Sequence, residues 1–264
     1  MGRTGTLAAA GTTAVGFAVL GLTLGRRLGD GSRGALVGAA LGLAYLAGTF
    51  LPRSPLFGRT VSSAGTRTTF SLTFDDGPDP RHTPEISREL AERGHRATFF
   101  VLARAVDAHP ELAARLLADG HEIACHGADP GLLAFAPPSR VRRELEATEA
   151  SVRRATGRAP ARLFRPPHGV RSPWLTSVAH RCGYRVCAWR GHVFDTAEPG
   201  AAAIVRRVDP LVQPGSIVLL HDGDGSGRGA SRAQTVEALS GILDRADARG
   251  LRSVAVGELV GAAA

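Results

Sequence analysis

The 264-residue chain contains no lysine, so every strongly basic side chain is an arginine. Its formal net charge is +8, which taken alone would suggest a nucleic acid or an anionic surface as partner. The distribution argues otherwise. Six arginines (Arg3, Arg26, Arg27, Arg33, Arg53 and Arg59) and one acid, Asp30, fall in the first 60 residues, placing +5 of the +8 around the N-terminus. The rest carries +3 with no basic stripe, so no nucleic-acid partner is expected; the arginine, alanine and glycine richness reads as a compositional bias. Cysteine is scarce as well. Cys125, Cys182 and Cys187 cannot all pair within one chain, which excludes a disulfide-framed scaffold and leaves them as small apolar core residues. A Cys182–Cys187 bridge stays open, although that spacing runs from a helix end into a strand.

Charge itself is missing from two stretches: 22 residues between Arg3 and Arg26, and 19 between Arg33 and Arg53. Each approaches the length a helix needs to cross hydrocarbon. Both carry small residues four apart, Gly21 with Gly25 and Gly38 with Gly42, which allow close helix packing in lipid. The sequence therefore predicts a transmembrane hairpin over 1–52. Its arginine-rich connection at 26–33 lies in the cytoplasm and the chain beyond Pro52 outside, by the positive-inside tendency. A cleaved signal peptide fits less well: the n-region has a single arginine, and no small-x-small site precedes polar sequence. Residues 53–65, with Pro55, Gly58 and Gly65, read as a turn-rich linker, and 66–264 as one soluble domain.

From Arg67 onward short apolar runs alternate with segments of helical period. Strands are expected to end at Phe74 and to cover 97–102, 121–125, 162–164, 184–189, 216–220 and 252–256. Helices are expected at 84–93, 111–118, 139–156 and 233–248, several stopped by glycine. Strand and helix in repetition imply an α/β fold with a parallel sheet; periodicity alone does not separate doubly wound from barrel forms. Polar residues cluster just after the strands: Asp75 and Asp76, His126, Arg165, and His221 with Asp222. Such strand ends are where a barrel builds its active site.

The chemistry these residues can support is specific. TFDDGPD at 73–79 sets two carboxylates side by side before a turn, and a nearby cation is the usual reason for both to stay ionised. RPPHG at 165–169 is a rigid loop that can aim Arg165 and present backbone N–H groups to an oxyanion. LLHDG at 219–223 ends a strand on His221, poised as acid or base.

Together these motifs resemble the polysaccharide deacetylase family, also called the NodB-homology or carbohydrate esterase family 4 domain, from about Thr66 to Val260. The resemblance implies a distorted, incomplete (β/α) barrel of about seven parallel strands. It implies a hydrolase that removes N-acetyl groups from peptidoglycan or chitin-like glycan. Carried over by position, Asp75 becomes the catalytic base and His221 the catalytic acid. Arg165 holds Asp75, and Asp195 tunes His221. Asp76 and His126 become ligands of a divalent metal, zinc before manganese or cobalt. Pro167 and His168 lie at the oxyanion, Leu219 faces the acetyl methyl, and Trp189 belongs to the substrate site. Two departures stand out. HGADP at 126–130 has Pro130 where the family has a second histidine ligand, leaving Asp129 as the nearest side chain able to coordinate. AWRGHVFDT at 188–196 has His192 and Thr196 where many members have Asp and Trp. The expected setting is the cytoplasmic membrane with the catalytic domain outside. The alternatives are a catalytically silent barrel that binds wall glycan, and a basic membrane-surface or nucleic-acid module whose binding weakens steeply with salt.

Overall fold

The computed structural model describes residues 31–225 and 227–261. The first expected span, ending before Arg26, lies outside the described residues. The second forms helix α1 (Gly31–Phe50). Its segment Arg33–Phe50 has a mean hydropathy of 1.3, so α1 is long and apolar enough to cross a membrane by length and composition. Its side chains Leu36, Val37, Leu41 and Leu43 are exposed.

Seven strands form one parallel sheet: β1 (Thr69–Asp75), β2 (Ala97–Leu102), β3 (Glu122–Gly127), β4 (Ala161–Phe164), β5 (Arg185–Val186), β6 (Ile217–His221) and β7 (Arg252–Ser253). The order is β5-β4-β3-β2-β1-β6, with β7 added to the start of β1. Between them run α2 (Thr83–Glu92), α3 (Ala103–Ala108), α4 (Pro110–Ala118), α5 (Pro138–Thr156), α6 (Pro173–Arg181), α7 (Ala201–Val208) and α8 (Ala233–Ala248). Helix α5 shows how the sequence sets these limits. Pro138 opens it at a position where a missing N–H costs nothing, and Gly157, at φ 71°, closes it in the left-handed conformation.

The period of two along β1 sorts its side chains between two layers. Phe70, Leu72 and Phe74 join the main core with Ile86 and Leu90 of α2 and Leu239, Ile242 and Leu243 of α8. Ser71, Thr73 and Asp75 turn to the other face, where the Thr73 hydroxyl donates to the Val218 carbonyl at 2.7 Å. The sheet curls toward that polar face as a half-barrel.

The barrel seam falls between β5 and β6, and residues of the 53–65 linker pair on both sides of it. Val61 bridges Cys187 in parallel and Ser63 bridges Ser216 in antiparallel fashion. Arg190 N–H also reaches the Ile217 carbonyl at 2.8 Å. The strand expected over 184–189 shortens to Arg185–Val186 because its continuation pairs with this segment. Upstream, fully buried Arg171 donates to the carbonyls of Leu51, Ser54 and Gly58, while its own N–H binds the Thr49 carbonyl. Among the described residues no carboxylate pairs with this guanidinium; carbonyls of the segment that follows α1 accept from it. The cysteines are free, with Cys125 and Cys187 buried, so the Cys182–Cys187 bridge is not formed.

Candidate active site

Parallel register brings the strand-end residues together. Asp75 on β1 is level with His221 on β6 and with Phe100 on β2. Asp75 is buried, and its Oδ1 accepts from Arg165 at 2.7 Å. Arg165 follows β4 into the barrel interior with none of its surface exposed. There it also donates to Thr73 at 2.8 Å, and its guanidinium lies 4.0 Å from the centre of the Phe100 ring. A planar cation sandwiched in this way is held in one orientation.

Beside this pair stands His221. Its Nδ1 lies 2.9 Å from Asp195 Oδ1, and its backbone N–H donates to Asp195 Oδ2 at 2.8 Å. Thr235 of α8 donates to the same carboxylate at 3.1 Å. Burial alone would lower the His221 pKa, but the Asp195 carboxylate, with Asp76 and Asp75 behind it, raises it to about 9. The imidazole is therefore protonated at neutral pH.

Asp76, at φ 76°, turns out of the strand toward His126, whose Nε2 lies 3.5 Å from Asp76 Oδ1 and 3.9 Å from Asp75 Oδ2. Burial opposes ionisation of Asp76, yet the His126 hydrogen bond and charge hold its pKa below the ordinary carboxylate value. Burial likewise opposes charge on His126, and Asp75 followed by Asp76 raises its pKa. Two acids side by side thus draw positive charge to one point. The Asp76 carboxylate and the His126 imidazole form a donor pair that suits a divalent cation. Asp129 is not brought to this pair: it is exposed, and its N–H is directed to Glu144 at 3.4 Å. Among the described residues no set of three His, Cys, Asp or Glu gathers that could hold a metal ion.

The RPPHG loop folds over the opposite side. Pro167 is buried, and exposed His168, in the left-handed region at φ 62°, places its Nε2 3.0 Å from the Pro130 carbonyl. A Cβ at Gly169 would lie 2.3 Å from Trp189, so only glycine admits the indole there. Leu219 is half-buried on the face of β6 that also carries His221.

Asp222 escapes a motif-based role. Fully buried, it accepts a 2.5 Å hydrogen bond from Thr83, leaves Oδ1 without a partner, and presses so closely on Gly77 that a Cβ there would sit 2.1 Å away. Burial pushes its pKa up to about 7 despite the Thr83 bond. The only signal in the sequence was its adjacency to His221.

The polysaccharide deacetylase family profile matches residues 62–187. A chitooligosaccharide deacetylase of Sinorhizobium fredii is 40% identical over 199 residues, covering 73% of this chain and 92% of that protein. A peptidoglycan-N-acetylglucosamine deacetylase of Bacillus cereus is 34% identical over 192 residues, covering 72% and 87%. A crystal structure of a peptidoglycan N-acetylglucosamine deacetylase superimposes with a TM-score of 0.71 at 27% identity, covering 76% of this chain and 92% of that one. With the strand-end set in the family's order, the chain belongs to the polysaccharide deacetylase family of enzymes.

Proposed function

We propose that this enzyme is a divalent-cation-dependent hydrolase that removes N-acetyl groups from amino-sugar polysaccharide, of the peptidoglycan or chitin-like class, outside the cytoplasmic membrane. Its N-terminal apolar stretches would hold it there. One observation carries the chemistry: two groups with different partners stand level on adjacent strands, Asp75 clamped by Arg165 and His221 paired with Asp195.

Asp76 and His126 would hold the cation, zinc before manganese or cobalt, and Asp129 is the third donor that its loop can bring inward. Gly127, at φ 119°, and Gly131 flank that loop and leave its backbone free to turn. A bound divalent cation supplies Lewis-acid polarisation of water and of the amide carbonyl. Asp75 takes a proton from water as the oxygen attacks the carbonyl carbon. Backbone around Pro167 and His168 steadies the developing oxyanion. His221 gives its proton to the sugar nitrogen as the C–N bond breaks, so acetate and a free amine leave. Leu219 and Trp189 line the side on which the acetyl methyl and its sugar sit.

A second reading, a barrel that binds wall glycan without turnover, is favoured by Pro130 and by the outward position of Asp129. Metal analysis of the full chain, together with acetate release from N-acetylglucosamine oligomers and from peptidoglycan, decides between them. Stoichiometric metal with acetate release supports the hydrolase. Glycan binding with neither supports the silent barrel.

A further inference from the structure

The segment 188–196 that departs from the family pattern builds a feature of its own. Trp189 is buried against Gly169 of the RPPHG loop. Its ring meets His192 edge-on, with centroids 5.7 Å apart and planes at 86°. His192 then stacks nearly parallel on Phe194, 5.1 Å away at 16°. The three rings form a continuous row from beneath the active-site loop to the surface, where Phe194 is 55% exposed.

Two further facts set Phe194 apart from an incidental surface residue. Its backbone is at φ 55°, the left-handed region that a bulky side chain rarely adopts, so the fold holds this ring outward at a conformational cost. The next residue is Asp195, whose carboxylate both orients and charges His221. The chain therefore carries the exposed ring next to the residue that partners the proposed acid.

We propose that Phe194, backed by His192 and Trp189, is a stacking platform for a pyranose ring of the glycan next to the sugar being deacetylated. An aromatic face meets the axial C–H bonds of a sugar without needing a hydrogen-bond partner, and the rigid stack behind it lowers the entropy of ordering on binding. The inference rests on the glycan reading above, and it gives that site a preference for chains over single sugars.

The test uses the full chain and N-acetylglucosamine from monomer to hexamer, with affinity measured calorimetrically and, separately, kcat and KM from acetate release. Phe194→Ala should weaken binding of the oligomers by about tenfold through KM, leave kcat within about twofold, and affect the single sugar little. Phe194→Trp should hold parental affinity, whereas Phe194→Leu, apolar but without a ring face, should fall with alanine. Leucine retaining parental affinity, or alanine binding every length as tightly as the parent, overturns the platform. If the parent binds oligomers but releases no acetate, the hydrolase reading fails while the affinity series still tests the platform.

Discussion

At the scale of single residues, the two clamped groups carry separable roles. Asp75→Asn should lower kcat by about a hundredfold or more while leaving metal content close to that of the parent, since Asp75 is the proposed proton acceptor and not a ligand; metal analysis beside acetate release checks this. His221 holds its proton up to about pH 9, so kcat/KM should fall as pH rises through that value. Asp195→Asn removes the carboxylate that raises the pKa and should move this alkaline limb toward the ordinary histidine value of about 6.5. Asp222 works in the opposite sense. Its carboxyl titrates near 3.9 in an unfolded chain and at about 7 when folded. The folded form therefore binds the proton more tightly, and stability should decline as pH rises between those two values. Asp222→Asn should flatten that part of the curve, as read by denaturant midpoints across pH.

At the scale of elements, the strands and their order of chemistry were legible because alternation and strand-end polarity are local signals. TFSLTFD shows its two faces in its own spelling, and the chain positions of Asp75, Arg165 and His221 followed from strand ends alone. What was not legible depended on pairing across the chain. The shortening of β5 needed Val61 as a partner, the burial of Asp222 needed Thr83 and Gly77, and the outward turn of Asp129 needed Glu144 beneath its loop. The β3 to α5 loop is where the sequence and the geometry pull hardest against each other. Pro130→His should strengthen metal retention and raise turnover, and Asp129→Ala in the parent should weaken both. Full metal and activity in Asp129→Ala would remove it from the ligand set.

At the scale of the whole molecule, the family profile begins at residue 62, but the folded unit does not. Because the buried guanidinium of Arg171 donates to the carbonyls of Leu51, Ser54 and Gly58, a fragment begun at the profile's edge loses all three of these partners. Arg171→Met in the full chain should lower stability by about 2–4 kcal/mol, read as a drop in melting temperature. Fusing a reporter after Arg59 tests the topology proposed for the first 52 residues, an extracytoplasmic signal being the expected result. The same contact bears on geometry. A catalytic head on a loose cord would sweep every direction its cord allows, whereas one keyed to the end of its stalk keeps a single bearing. If α1 stands in the bilayer, the mouth of the barrel points one way at one height. The glycan must then come to the enzyme in that plane, because the enzyme does not reach out to search for it.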